Sequence, residues 1–119
     1  MYSPQVLDHF QNPRNPGDID DPDAVAEIEN PACGDILRLS LKITAARIAK
    51  ARFKAKGCVA AIACGSVLTE LLTGKSLNHA LQLTREDIAS ALGGLPPAST
   101  HAAQLAVEAI SKALQNVRS

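Results

Sequence analysis

The spacing of the apolar residues changes at Gly57, and this change constrains the fold more than any other feature of the sequence. Before it, apolar and polar residues alternate through 25–28, 36–43 and 49–56, as in strands that bury one face. After it, apolar residues recur at helical spacing from Ala60 to Leu72. Because the connections between the alternating segments are short, we predict an antiparallel sheet with one wet face. The almost wholly apolar helix should then be buried against the other face.

A short helix is predicted before the first strand. Ser3-Pro4 is typical of a helix start, and a helix that ends near Gln11 should place apolar residues on one face, namely Val6, Leu7 and Phe10. Residues 12–22 are rich in proline, asparagine, aspartate and glycine, so we predict a surface connection there.

Further helices are predicted after Gly74. Two short ones cover 76–81 and 84–92, and a last helix starts at about Ser99 or Thr100. Its predicted inward residues are apolar: Ala102, Leu105, Ala106, Ala109, Ile110 and Ala113. The predicted fold class is α+β, with a three-stranded antiparallel sheet and with the N-terminal helix and the C-terminal helices packed on one face.

Length, charge and cysteine content limit the classes of protein to which the chain can belong. The 119 residues suffice for one domain, 1–119, and the balance of 12 basic and 12 acidic residues is not that of a nucleic-acid-binding protein. No apolar stretch approaches the roughly 20 residues needed to cross a membrane, and the amino end lacks the pattern of a secretory signal. Three cysteines cannot all pair within one chain, so we expect reduced thiols and a cytoplasmic protein.

Four potential metal ligands lie at predicted boundaries between elements. Cys33 and Asp35 fall between two strands, Cys58 lies where strand turns into helix, and His101 opens the last helix. Thiolate, imidazole and carboxylate groups together would suit tetrahedral zinc or a labile iron–sulfur cluster. The positive end of the helix dipole should lower the pKa of Cys58 and favour its thiolate.

A purely structural interpretation of these four residues stays open, because the sequence contains no CxxC pair. Under this structural interpretation, Cys33 and Cys58 are small buried residues, Asp35 caps a turn, and His101 forms a hydrogen bond at a helix end. The third cysteine, Cys64, is turned about 240° around the helix from Cys58, so we expect a buried, inert thiol.

Short motifs occur in a characteristic order along almost the whole chain. They are Tyr2-Ser3, Asp8-His9-Phe10, Asn12-Pro-Arg-Asn15, Pro31-Ala-Cys-Gly-Asp35, Phe53-Lys-Ala-Lys-Gly-Cys58, Ala61-Ile-Ala63, Gly74-Lys75 and Leu95-Pro-Pro97. Together they resemble the IscU and NifU-type family of iron–sulfur cluster assembly scaffolds.

The resemblance implies a scaffold or carrier and not an enzyme. Members of that family receive sulfide from a cysteine desulfurase, combine it with iron, and pass the cluster to apo iron–sulfur acceptor proteins. Cys33, Asp35, Cys58 and His101 occupy the family's ligand positions. This implies that the site binds a [2Fe–2S]-type cluster or iron, with zinc able to occupy the same pocket.

Two departures from the family pattern leave alternatives open. Ala102 stands where the family has a cysteine that can accept persulfide sulfur, so assembly of a cluster from its components is in question. Ala98-Ser99 follows Leu95-Pro-Pro97 where the family continues with valine and lysine, which leaves recognition by an Hsp70-type chaperone open. The alternatives are a zinc-containing sulfur-relay protein and an adaptor or regulator of a cysteine desulfurase.

A row of basic residues also follows one face of the third predicted strand, at Lys50, Arg52, Lys54 and Lys56. Such a row either docks an acidic partner or is simply the solvated side of the strand.

Overall fold

The protein consists of a three-stranded antiparallel sheet with helices packed on one face. The structure is a computed structural model that describes residues 2–31 and 34–117. The strands are β1 (Ala24–Asn30), β2 (Asp35–Thr44) and β3 (Arg47–Lys56), in that order across the sheet. The helices are α1 (Pro4–Gln11), α2 (Val59–Leu72), α3 (Leu77–Leu81), α4 (Arg85–Ala91) and α5 (Thr100–Gln115), with a 3₁₀ turn at Pro97–Ser99. The predicted α+β fold is confirmed. No helix in the described ranges has the length and apolarity required to cross a membrane.

The core lies between the inner face of the sheet and the helices α2 and α5. On the sheet side, Leu37, Leu39 and Leu41 of β2 are completely buried, as their alternation predicts. On the helix side, Gly65 of α2 comes so close to the sheet that a Cβ there would lie 2.5 Å from the Phe53 ring. The six residues of α5 that were predicted to face inward are all buried. This packing holds the N-terminal ends of α2 and α5 at one end of the sheet.

The alternation of residues 49–56 predicts that Ala49 faces inward, and this prediction is wrong. Lys42 pairs with Lys50, but Ile43 pairs with Ile48, so β3 carries one additional residue at Ala49. Such a β-bulge reverses the alternation beyond it. Ile48 is therefore buried, and Ala49 is exposed.

The predicted apolar face of α1 is also wrong. Val6 is buried as expected, but Leu7 and Phe10 are 42% and 38% exposed, and the second buried residue is His9. A polar contact turns His9 inward, because its Nδ1 atom lies 2.7 Å from the Ser66 hydroxyl of α2, inside the helix interface. A hydrogen bond with a buried partner thus outweighs two apolar side chains in setting the rotation of this short helix.

The segment after α1 lies at the surface, as predicted, but it is fastened to two elements. The backbone N–H of Arg14 donates to Ser66 Oγ at 2.8 Å, and the Asn15 side chain donates to Thr69 Oγ1 at 3.1 Å. The backbone of residues 15–17 also pairs with Phe53 of β3, through N–H···O distances of 3.1 and 2.7 Å. Ser66 therefore joins α1, the following segment and α2.

Replacing Ser66 by alanine should destabilise the protein. The change leaves the backbone N–H of Arg14 and Nδ1 of the buried His9 without their shared partner, which should lower the free energy of unfolding by about 1–3 kcal/mol. Urea denaturation followed by circular dichroism would measure this loss. The matched control is Ser90→Ala on the exposed side of α4, which should change the free energy of unfolding by less than about 0.5 kcal/mol. Equal stability of both variants would contradict the central position given to Ser66.

Candidate metal centre

Asp35, Cys58 and His101 converge at one end of the sheet. Each offers one potential ligand atom, and the three atoms lie within 4.8 Å of one another. Oδ2 of Asp35 is 3.4 Å from Cys58 Sγ and 3.4 Å from His101 Nε2. Two ligands of a tetrahedral zinc ion, each bound at about 2.0–2.3 Å, lie about 3.3–3.8 Å apart. The two separations from Asp35 Oδ2 therefore fit a shared metal ion.

The sheet and two helix starts bring these residues together. Asp35 is the first residue of β2, and Cys58 follows the end of β3 as the N-cap residue of α2. Because β2 and β3 are antiparallel, with Ile36 paired to Lys56, the start of one strand lies beside the end of the other. His101 is the second residue of α5. The ends of these elements thus bring the three residues together.

The fourth predicted ligand, Cys33, lies outside the described residues, between Pro31 and Gly34. Its participation in the site stays a prediction.

The two oxygens of the Asp35 carboxylate have different neighbours. Oδ1 accepts a hydrogen bond from the backbone N–H of Cys58 at 3.2 Å, while Oδ2 faces the thiol and the imidazole. The Cys58 side chain makes no capping bond to its own helix, so Asp35 provides a cap for α2 from outside. Only 3% of Asp35 is exposed. One oxygen thus anchors the carboxylate, and the other is presented to the site.

Gly57 permits this close approach. Its φ is +142°, and a Cβ built there would lie 2.1 Å from Oδ1 and 3.1 Å from Cα of Asp35. The second distance involves backbone, which cannot turn aside as a flexible side chain can. Glycine at position 57 is therefore a condition for placing the Asp35 carboxylate against the start of α2.

The pKa of Cys58 is raised, so the prediction of a lowered value is wrong. Burial raises it most, and the hydrogen bond and negative charge of Asp35 raise it further. Backbone N–H groups of Ala61 and Ala60 act in the opposite direction, as the helix-start argument expected, but they are outweighed. Without a metal, the thiol keeps its proton and donates it toward Asp35 Oδ2. A metal that binds here releases that proton.

His101 adds a second sign that the site suits a metal. Its Nε2 atom is buried and has no hydrogen-bond partner within the described ranges, although Asp35 Oδ2 lies 3.4 Å away. Buried polar atoms are seldom left without a partner in folded proteins. A metal ion held between the carboxylate and the thiol would satisfy this nitrogen.

The two remaining sequence positions of interest lie in the core. Cys64 is completely buried, and burial raises the pKa of its thiol to about 12, which agrees with the predicted inert role. Ala102, where the family resemblance leads us to expect a cysteine, is also buried, next to His101 on α5.

Sequence reasoning did not place Tyr2 at the site. Together with Ala98 and Ser99, Tyr2 lines the pocket that contains Asp35, Cys58 and His101. The hydroxyl of Ser3 donates to the carbonyl of Leu92 and so ties the amino end to the end of α4. Because this contact joins residues 89 positions apart, no local sequence pattern indicated it.

The fold and the three converging donors define a class of small α+β proteins with a candidate metal centre at one end of the sheet. The family model for the NifU-like N terminal domain matches residues 1–119. The chain therefore belongs to this family, as its motifs suggested.

Individual relatives agree with this assignment. The chain is 46% identical over 114 residues to the iron–sulfur cluster assembly scaffold protein IscU 1 of Archaeoglobus fulgidus, covering 96% of this chain and 74% of that protein. It is 42% identical over 122 residues to the scaffold protein IscU of Escherichia coli K12, covering 99% and 94%. The crystal structure of a NifU-like protein (N-terminal) from Brucella abortus has the same fold, with a TM-score of 0.77 at 19% identity over 96% of this chain and 92% of that one.

Substituting Gly57 by alanine should weaken metal binding. The new Cβ displaces the Asp35 carboxylate, so we expect affinity for Co²⁺, read from its visible absorption, to fall by about tenfold or more. Gly74→Ala is the matched control, since Gly74 also has a positive φ, +89°, but a Cβ there meets nothing within 4 Å. It should show the conformational strain without the loss of Co²⁺ affinity. Equal Co²⁺ affinity in the two variants would show that Gly57 does not position Asp35.

Proposed function

We propose that this protein is a scaffold or carrier that holds iron and a labile [2Fe–2S]-type cluster and passes the cluster to apo acceptor proteins. The observation that carries the proposal is the convergence of Asp35, Cys58 and His101 within 4.8 Å. Relatives that align with nearly the whole chain are named iron–sulfur cluster assembly scaffold proteins. In this role the protein is a carrier and not an enzyme.

The mixed donor set favours transient binding. Thiolate and imidazole are good ligands for iron in clusters, whereas a carboxylate oxygen is a harder and weaker partner. Asp35 Oδ2 can release the metal while Oδ1 keeps its hydrogen bond to Cys58, so the carboxylate stays in place for the next cluster. Cys33 is proposed as the fourth ligand because it lies two residues before Asp35.

The arrangement also favours access from one side. The His101 side chain is 37% exposed, whereas the Asp35 side chain behind it is 4% exposed. Cys58 is half-buried at the same pocket. A cluster held by these residues would have one side toward solvent, where a partner protein can approach it without unfolding of the scaffold.

The partners follow from the chemistry of the cargo. Sulfide must be supplied, and a cysteine desulfurase is the proposed source, while apo iron–sulfur proteins are the proposed recipients. The thiols of Cys58 and Cys64 are free, which suits a reducing compartment such as the cytoplasm.

A second candidate function is a zinc-bound adaptor of the desulfurase. The 3.4 Å separations around Asp35 Oδ2 suit tetrahedral zinc as well as a cluster. The sulfur-relay alternative is less well supported, because Ala102 stands where the relay proteins that the chain resembles would need a further cysteine.

Anaerobic reconstitution with iron, sulfide and reductant would test the proposal. We expect the wild-type chain to bind iron and labile sulfide with a visible chromophore, and Cys58→Ser and Cys33→Ser to lose both. Cys64→Ala is the matched control and should retain them, because Cys64 lies in the core. Zinc without sulfide, together with stimulated desulfurase turnover, would support the zinc-bound adaptor instead. A wild-type chain that binds no metal under any condition would contradict both functions.

A further inference from the structure

The outer face of the sheet, opposite the helices, carries a row of charged side chains. The row Lys50, Arg52, Lys54 and Lys56 on β3 is exposed, whereas the intervening Ala51 and Phe53 are buried. Alternate residues of a strand are about 7 Å apart, so these four cations form a line along the edge strand. We call them the basic row.

The neighbouring strand increases the positive charge instead of balancing it. Lys42 of β2 is paired with Lys50, and Arg38 is paired with Lys54. Like charges directly opposite each other destabilise a sheet. A sheet face built in this way needs carboxylates from elsewhere.

The segment between α1 and β1 supplies some of them. Asp18 lies 2.9 Å from Arg38 Nε and 3.0 Å from Lys54 Nζ. Lys42 Nζ lies 4.0 Å from Asp21 and 3.8 Å from Asp23. The segment thus neutralises the centre of the face.

Three cations of the basic row stay without an ion pair among residues 2–31 and 34–117, namely Lys50, Arg52 and Lys56. At the opposite edge of the same face, β1 exposes Glu27 and Glu29. The chain as a whole has no net charge. The face therefore has a positive edge and a negative edge, and a complementary partner would bind in one orientation.

A further strand cannot pair with β3 continuously along this edge. The edge is already bonded at Phe53, by residues 15–17, and at Ile48, by Gly74 and Lys75. A partner at this edge must therefore bind through the side chains of the basic row.

We propose that the basic row docks the acidic surface of a folded partner protein. The position of the row places that partner beside the candidate metal centre. Lys56 is two residues before Cys58, so the row ends at the site. The identification of this partner as an apo acceptor of the cluster rests on the proposed function.

Nucleic acid is a poorer match for this surface. Asp18 and Asp20 line the same shallow pocket as Lys50 and Arg52, and these carboxylates would repel a continuous phosphate backbone. A protein surface with charges of both signs can meet both edges of the face. Complementary charges of this kind chiefly set the rate and specificity of association.

Binding of the metal-free chain to an immobilised acidic apo-[2Fe–2S] ferredoxin would test the docking surface. The variant Lys50→Glu/Arg52→Glu leaves the residues nearest the site unchanged, and we expect it to weaken binding at low ionic strength by about tenfold or more. The matched control Lys75→Glu/Lys112→Glu makes the same change of charge outside the row and should bind as the wild-type chain does. Raising the salt concentration should remove most of the difference between the two variants.

The outcomes separate this inference from the proposed function, because binding is measured without a cluster and iron and sulfide loading is measured apart. Row-dependent binding by a chain that never loads a cluster would support docking while contradicting the scaffold. Equal binding by both variants, or no binding by the wild-type chain, would overturn the docking surface. Row-dependent binding to duplex DNA or phosphatidylserine vesicles, without binding to the ferredoxin, would overturn it as well.

Discussion

The hydrogen bond from the Cys58 backbone N–H to Asp35 Oδ1 is the contact on which the candidate site depends. It joins the start of β2 to the start of α2, and it is possible only because Gly57 has no side chain. The bond fixes the carboxylate, and the fixed carboxylate places Oδ2 equally far, 3.4 Å, from a thiol and an imidazole. Helix capping and ligand placement are therefore the same interaction.

Buried and surface polar contacts support this centre from a distance. Ser66 holds α1 and the segment after it against α2, the helix that carries Cys58 at its start. The same segment continues across the outer face of the sheet, where Asp18 neutralises Arg38 and Lys54. These carboxylates neutralise the centre of the face, while Lys50, Arg52 and Lys56 of the basic row have no ion pair among the residues that the structure describes. The basic row leads toward the metal centre.

Much of this arrangement could be predicted from the sequence, because the strands and helices have strong hydrophobic periods and clear stop signals. The helices α2 and α5 and the inward side chains of β2 followed from those periods alone. The errors arose where a tertiary contact overrides the local pattern. His9 turned α1 toward Ser66, and a bulge exposed Ala49. Burial and Asp35 together outweighed the expected effect of the helix on the pKa of Cys58. The position of Tyr2 at the pocket depends on a contact between distant parts of the chain, which no local pattern encodes.

The geometry of the site implies that the carboxylate, the thiol and the imidazole bind one metal ion jointly. X-ray absorption spectroscopy at the zinc edge, on the chain loaded with one equivalent of Zn²⁺, would test it most directly. We expect a four-coordinate ion with mixed sulfur and nitrogen or oxygen ligands. We also expect His101→Ala to remove the imidazole scattering while the sulfur signal stays. A spectrum without sulfur ligands, or one that is the same in wild-type and His101→Ala chains, would contradict it.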